Sequence, residues 1–300
     1  MTKPEIAIVD YPGALPSAVY GIEDMLSFGP QGERWDLHRL SEHAEVDFAA
    51  IILPPSKRAV GFDEAPWLIP WLQQQTAQGA LVCSACAGLS WVAGAGLDRG
   101  RRVTTHWGLE QRFRDHFPEL NLDTAPLLIE HSDLITAGGM MAWIDLSLVI
   151  IERLAGQDAA LDVARNFIVS PNRRDQRRFR RFLPELRHGD AEILRAQHHI
   201  DSALQDPLKI ADLADIAGLA PRSFLRRFTR ATGLKPTEYL QALRVDRARD
   251  LLLQTRDSTE QIGFAVGYTD SSAFQKIFKR LAGQSPAEFR RAFRQGDFAG

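Results

Sequence analysis

Residues 211–236, ADLADIAGLAPRSFLRRFTRATGLKP, return about fifty positions later as residues 260–286, EQIGFAVGYTDSSAFQKIFKRLAGQSP. Both copies read helix, Gly, short turn, helix, F-x-x-x-F, a small residue, Gly, two residues and Pro. In each second helix the phenylalanines four apart, Phe224 with Phe228 and Phe274 with Phe278, share one face and must be buried. The opposite face is left to Arg222, Leu225, Arg226 and Arg230 in the first copy and to Ser272, Gln275, Lys276 and Lys279 in the second. A short helix anchored by an aromatic seam, with arginine, glutamine and lysine outward, suits a major groove, where Arg reads guanine and Gln reads adenine. Two such helices on a stiff connecting helix would enter successive grooves, about 34 Å apart. An ordinary helical bundle with basic surfaces explains the seams but not the duplication with matched polar faces.

Working outward, no strand pattern occurs after Gly189. The spacing predicts helices over Asp190–Gln205, Ile210–Ala217, Pro221–Thr229, Pro236–Gln254, Thr259–Val266 and Ser271–Arg280. Gly218 and Gly233 end two of them, and Pro221 opens one. The long helix carries Tyr239, Leu240, Leu243, Ala248, Leu251 and Leu252 as an apolar stripe. Charge divides the chain: residues 1–171 hold 12 Lys+Arg against 22 Asp+Glu, a net −10, and residues 172–300 hold 24 against 16, a net +8. A basic half behind an acidic one is the footprint of nucleic-acid binding by one domain, because neutralising phosphates releases counterions. Between them, SPNRRDQRRFRRFLPELRHGD (170–190) sets six arginines between Arg173 and Arg181. They read either as phosphate contacts or as a solvated linker or brace. The expected organisation is a first domain at 1–171, an Arg-rich linker at 172–189 and a helical domain at 190–297.

The first half alternates short apolar runs with helical patterns. IAIVD, AAIILPP, GALVCSA, RRVTTH, LLIE and LITAGG read as strands; APWLIPWLQQQTAQG, LEQRFRDHF, MMAWIDLSLVIIERLAG and 158–167 read as helices. Such alternation implies an α/β domain with a mostly parallel sheet covered on both faces, whose ligands bind at the carboxyl ends of the strands. Three hundred residues, 45% hydrophobic and 25% charged, suffice for two soluble domains. The N-terminus lacks a signal-peptide pattern, and the longest apolar run, Met140–Ile151, is broken by Asp145, so a cytoplasmic protein without a membrane partner is expected.

The two cysteines lie in ALVCSACAGLSWVAGAG (80–96). A strand to about Ser84, Cys86 at a tight turn, and Ala87 and Gly88 opening a helix make the outline of a nucleophile elbow, whose helix N-terminus would favour a thiolate. His106, in VTTHW, is placed to reach the same sheet edge. A zinc site at Cys83 and Cys86 would need two further ligands, and neither a second C-x-x-C nor an H-x-x-x-H exists. His198 and His199 point to opposite sides of a helix in the other domain. A redox pair is disfavoured because Cys83 is still in the strand. Neither metal nor cofactor is expected, and His38, His43, His116, His131 and His188 show no partner pattern.

From Asp206 to Phe293, LADIAGLAPRSFLRRFTRATGLKPTEYLQALRVDRARDLL and GFAVGYTDSSAFQKIFKRLAGQSPAEFRRAF closely resemble the AraC/XylS family of bacterial transcription regulators. The resemblance implies that Arg222, Leu225 and Arg226 face bases in one unit and Ser272, Gln275 and Lys276 in the other. Ser223, Arg230 and Lys279 complete the DNA-contacting set. Roughly Ile6 to Phe179, through IAIVDYPG, CAGLSWVAGAGLDRGRRVTTHW and TAGGMMAWIDLSLVII, resembles the ThiJ/PfpI class of the amidotransferase-like superfamily, in the form fused ahead of AraC-type domains. That implies a flavodoxin-like sheet, followed by the all-α domain with two helix-turn-helix motifs, in which the sheet domain senses a small metabolite and dimerises.

Three departures from the catalytic pattern stand against turnover. The acidic position after the first strand aligns with Ser17, the residue after the cysteine is Ala87, and the loop after the third strand holds Pro55, which has no N–H for an oxyanion. The chain is therefore read as a non-enzyme, a ligand-responsive regulator of promoter DNA. Its effector site is expected at Tyr11, Pro12, Pro55, Cys86, His106, Trp107, Gly138 and Met140. The partners expected are an effector of the amino-acid or small-amine class, a second copy of the chain, and RNA polymerase if it activates. The rival readings are a cysteine-dependent hydrolase or lyase with an accessory DNA-binding domain, and constitutive architectural DNA binding.

Overall fold

Four mostly apolar runs, Ile6–Val9, Ala50–Leu53, Leu81–Ala85 and Leu134–Ala137, all buried, set the centre of the first unit. The computed structural model describes residues 3–170 and 175–293, and the chain divides into Met1–Gln176 and Arg177–Gly300. In the first unit β1 (Glu5–Val9) leads through α1 (Pro16–Ser27) to β2 (Asp36–Leu40), and β3 (Ala50–Leu53) through α2 (Leu68–Ala77) to β4 (Leu81–Ala85). Then come α3 (Leu89–Gly94), α4 (Glu110–His116), β5 (Leu128–Glu130), β6 (Leu134–Ala137), α5 (Trp143–Ala155) and α6 (Gln157–Asn166). The sheet order is β2-β1-β3-β4-β6-β5, parallel except for the final β5–β6 pair. This is the flavodoxin-like doubly wound arrangement with an antiparallel edge. Since β2 and β3 lie on opposite sides of β1, right-handed crossovers send α1 and α2 to opposite faces. α1 packs with α5, and α2 packs with α3.

Two strand expectations need correction. RRVTTH is not a ladder strand: Val103 makes only an isolated bridge to Leu122, and the Thr104 N–H donates to the Thr136 hydroxyl at 3.0 Å. Two backbone bonds around that bridge, Val103 N–H to the Asn121 carbonyl and Asp123 N–H to the Val103 carbonyl, and the Thr136 side chain hold that segment in place of a ladder. Conversely β2, DLHRL, is a strand that its polar composition conceals, because it lies at the sheet edge, where one side faces water.

The second unit is helical: α7 (Ala191–Ser202), α8 (Ile210–Ala217), α9 (Pro221–Thr232), α10 (Pro236–Gln254), α11 (Thr259–Ala265), α12 (Ser271–Ala282) and α13 (Pro286–Phe293). Gly218, Gly233 and Gly283 take left-handed conformations at the ends of α8, α9 and α12, as helix-ending glycines do. Phe224, Phe228 and Tyr239 join Ile193 and Ile200 in one core; Phe274, Phe278 and Phe289 join Val245, Ala248 and Leu252 in another. The single stripe expected on α10 is thus two. Tyr239, Leu240 and Leu243 face the first core while Ala248, Leu251 and Leu252 face the second, because one helix walls both.

The arginine run from Arg177 belongs to the second unit rather than to a free linker. Arg181 binds Asp250 at 2.7 Å and Asp246 at 3.1 Å, Arg177 donates to the Arg280 carbonyl at 3.1 Å, and the Arg178 guanidinium lies 4.6 Å from the Phe179 ring centre. Those three cations are thereby engaged within the chain. Arg173 and Arg174 lie outside the described residues.

Candidate functional site

Cys86 directly follows β4 with φ at +53°, a left-handed conformation shared among the described non-glycine residues only with Arg99 and Ile168. Such a backbone costs on the order of 1–3 kcal/mol and persists where surrounding packing fixes it. Here Gly88 does the fixing. A Cβ on it would lie 2.6 Å from the Leu53 carbonyl oxygen and 2.9 Å from that of Pro54, so the elbow is pressed against the loop after β3. The N–H groups of Ala87, His106 and Gly139 converge on the Cys86 sulfur and favour its anion, yet burial outweighs them and pushes the thiol up to about 11. The expected thiolate-favouring N-terminus is therefore overridden: only a three-residue turn, Cys86–Gly88, precedes α3, and the side chain is 4% exposed.

His106 is engaged elsewhere. Its Nδ1 accepts the Gly108 N–H at 2.9 Å, its ring stacks on Trp107 at 5.2 Å, and burial lowers its pKa. A neutral imidazole with Nδ1 accepting carries its proton on Nε2. It is thus arranged to donate, not to deprotonate Cys86.

A cavity of about 670 Å³ opens beside this elbow. Cys86, Ala87, Ser90 and His106 form its base; Val60, Phe62, Leu109, Phe113, Phe117 and Met140 form apolar walls; Lys57, Arg58 and Arg112 contribute the charged edge, with His116 also in the lining. Phe62 leans on Trp91 at 5.3 Å and covers Gly94 so closely that a Cβ there would come within 2.5 Å of its ring. The volume and mostly apolar lining are those of small-molecule sites.

Of the eight expected effector-site residues, Cys86, His106 and Met140 line this cavity. Tyr11, Pro12, Pro55, Trp107 and Gly138 do not, and closure of neighbouring loops is the reason. The segment after β1 pairs with that after β3 through an Ala14–Ser56 bridge, the Leu15 N–H donating to the Pro55 carbonyl at 2.7 Å and the Lys57 N–H to that of Gly13 at 3.0 Å. That seals the crevice between β1 and β3, buries Pro55 and leaves Pro12 outside. Tyr11 lies beneath it, its hydroxyl donating to the Pro54 carbonyl at 2.5 Å and its ring edge-on to Trp91. Gly138 is covered by Gln176, whose Nε2 would lie 1.9 Å from a Cβ at that position.

Sequence reasoning missed Gln176. Its side-chain amide donates to the carbonyls of Thr105 at 2.9 Å and Pro126 at 3.0 Å and accepts the Trp107 N–H at 3.3 Å. A lone glutamine inside an arginine run carries no local signal of this role. Ser17, the aligned acidic position, is exposed on α1 and does not line the cavity. Cys83 is fully buried in β4, and among the described residues no group of three or more His, Cys, Asp or Glu could hold a metal ion.

In the second unit α9 and α12 each bury two phenylalanines and turn the opposite face outward. Arg222, Leu225, Arg226 and Arg230 are exposed on α9, with Ser223 half-buried beside them, and Ser272, Gln275, Lys276 and Lys279 are exposed on α12. The fourth arginine on α9, Arg227, is structural, bound to Asp190 and Glu192 at 2.7 Å each, and it holds Asp190 down at about 2. Asp270 caps α12 by accepting the Ser272 and Ala273 N–H groups. The duplicated helix pairs, with one basic face each, are a double helix-turn-helix reader of DNA.

Residues 213–292 match the helix-turn-helix domain family. The HTH-type transcriptional regulator ArgR of Pseudomonas aeruginosa is 29% identical over 240 residues, 78% of this chain and 73% of that one. A solved transcriptional regulator of Chromobacterium violaceum with an AraC-type DNA-binding domain is 30% identical, over 35% of this chain and 96% of its own, at a TM-score of 0.33. Drosophila melanogaster DJ-1beta aligns with 57% of this chain and 100% of its own, at 17% identity and a TM-score of 0.46. The chain is a DNA-binding transcription regulator. Its second unit holds an AraC-type helix-turn-helix domain.

Proposed function

We propose that this regulator is ligand-responsive: a small metabolite enters the cavity beside Cys86 and biases how the two reading helices engage promoter DNA, by binding two arrangements of the protein unequally. The observation that carries this is the 670 Å³ cavity, apolar-walled and based on a buried, protonated thiol. The same base supports binding without turnover. The Cys86 thiol is held neutral, the His106 Nδ1 lone pair is taken by Gly108, and no carboxylate is among the residues lining the cavity. The chain acts in this reading as a homodimer in the cytoplasm, recruiting RNA polymerase where it activates. Among the described residues no helix is long and apolar enough to cross a membrane.

The test is binding of the full chain to its own upstream DNA by fluorescence anisotropy, with metabolites selected by thermal shift, since a specific ligand stabilises the folded state by mass action. A hit should change promoter affinity, Ser90→Trp should abolish its thermal shift, and Cys86→Ala should retain the response. Steady turnover of an amide or aldehyde substrate, lost in Cys86→Ala, would overturn the sensor reading.

A further inference from the structure

The cavity edge carries an excess of positive charge that the double helix-turn-helix does not explain. Arg58 is neutralised locally: its guanidinium makes a two-pronged contact with Glu64 at 2.7 and 2.5 Å, and that contact holds the Glu64 carboxyl down at about 2. Lys57 and Arg112 have no such anion. Both are exposed at the edge, and among the described residues neither side chain has an ion-pair or hydrogen-bond partner. No aspartate or glutamate is among the residues lining the cavity, while His106 leaves an Nε2–H to donate into a site whose walls are Phe62, Phe113, Phe117 and Met140.

We infer that the cavity selects a small monocarboxylate with an aromatic or branched aliphatic body, its carboxylate meeting Arg112 and Lys57 and its apolar part lying among Phe62, Phe113 and Phe117. This rests on the sensor reading above and names its ligand class. The planar guanidinium of Arg112 matches a carboxylate in a way a point charge does not, and its hydrogen bonds to that group are charge-assisted. An ammonium or quaternary amine has the opposite fit. It would meet two unpaired cations, with no carboxylate in the lining to receive it. The amine class expected from the family resemblance is therefore disfavoured by the charges that surround this opening, and an amino acid would be held through its carboxylate end alone.

The experiment titrates the full chain with phenylacetate, phenylacetamide, phenethylamine and phenylalanine, reading heat of binding and thermal shift. Phenylacetate should bind at least about tenfold more tightly than phenylacetamide, the gain ordinary for hydrogen bonds to a charged group, and phenethylamine should not bind. Arg112→Gln should remove that tenfold preference and leave phenylacetamide unchanged, while Lys57→Gln should reduce it. Equal or tighter binding of phenethylamine, or an unchanged preference in Arg112→Gln, overturns the carboxylate assignment and leaves the sensor reading standing. A carboxylate that binds with the expected preference but leaves promoter occupancy unaltered sinks the sensor reading alone. Silence from all four compounds overturns the carboxylate assignment and leaves the sensor reading standing.

Discussion

The reading helices and the elbow cavity hold their functional side chains in opposite ways. On α9 and α12 the outward residues are supported by the backs of their own helices, where Phe224, Phe228, Phe274 and Phe278 are wholly buried. Around Cys86 the site is assembled from segments far apart in the chain, from Ser56 to Met140, and its shape depends on close backbone approaches such as that of Gly88 to Leu53 and Pro54. The difference teaches where function and stability separate. A reading residue can be removed at no cost to the fold, whereas a change at the elbow alters site and fold together.

The largest expected effect attacks the support of the readers. Phe228→Ala or Phe278→Ala should cost ~3–5 kcal/mol in denaturant unfolding, the usual loss for emptying an aromatic core position, and DNA binding should go with it. Stability within 1 kcal/mol of wild type would show that the two cores do not hold the reading faces.

Next comes Gly88→Ala. The added methyl meets two backbone oxygens of the loop after β3, and overpacking of this kind costs ~1–3 kcal/mol. Thermal melts of the full chain should fall while promoter affinity without effector is kept. An unchanged melting temperature would show that the elbow relaxes freely, and would erase the contrast drawn above.

Arg226→Ala sharpens the comparison from the other side. Affinity for the cognate site should fall by ~1–3 kcal/mol with a matching loss of discrimination, at an unchanged melting temperature. Equal loss on cognate and scrambled DNA would move Arg226 from base reading to phosphate contact. Lys279→Ala should be milder, weakening all sequences alike and reducing the salt dependence of binding by roughly one counterion.

The smallest effect is expected at neutral pH on Cys86. Its raised pKa of about 11 leaves little thiolate at pH 7, and that fraction grows as pH climbs toward 11. Iodoacetamide should therefore modify Cys86 slowly at pH 7 and progressively faster up to pH 10, as followed by mass spectrometry. Rapid, pH-independent alkylation would restore the case for an activated nucleophile.

The second unit was legible because its information is local. The phenylalanine spacing, the helix-ending glycines and the duplication placed Ile210–Ala217 and Pro236–Gln254 at their observed limits. The α10 stripe was misread because periodicity reports that a face is apolar but not that two cores share it. In the first unit five of the six strands showed in their apolar runs, β2 being the exception, and Cys86, His106 and Met140 line one cavity. The walls were not foreseen. Phe62, Phe113 and Phe117 come from a loop and a helix whose apposition no short pattern records, and the Ala14–Ser56 bridge that excludes Tyr11 and Pro12 is a pairing across 42 residues. Gln176, whose partners lie 50 to 72 residues away, is the extreme case.

The double role of α10 has a mechanical corollary. With Tyr239 near one end in the first core and Leu252 near the other in the second, the helix is a ruler that cannot be shortened or lengthened by a residue without rotating one reader by about 100° relative to the other. Insertions should be tolerated before α7 far better than inside α10. A protease nick in α10 would leave two fragments, each lacking a wall of its own core, so the readers should survive or perish as a pair.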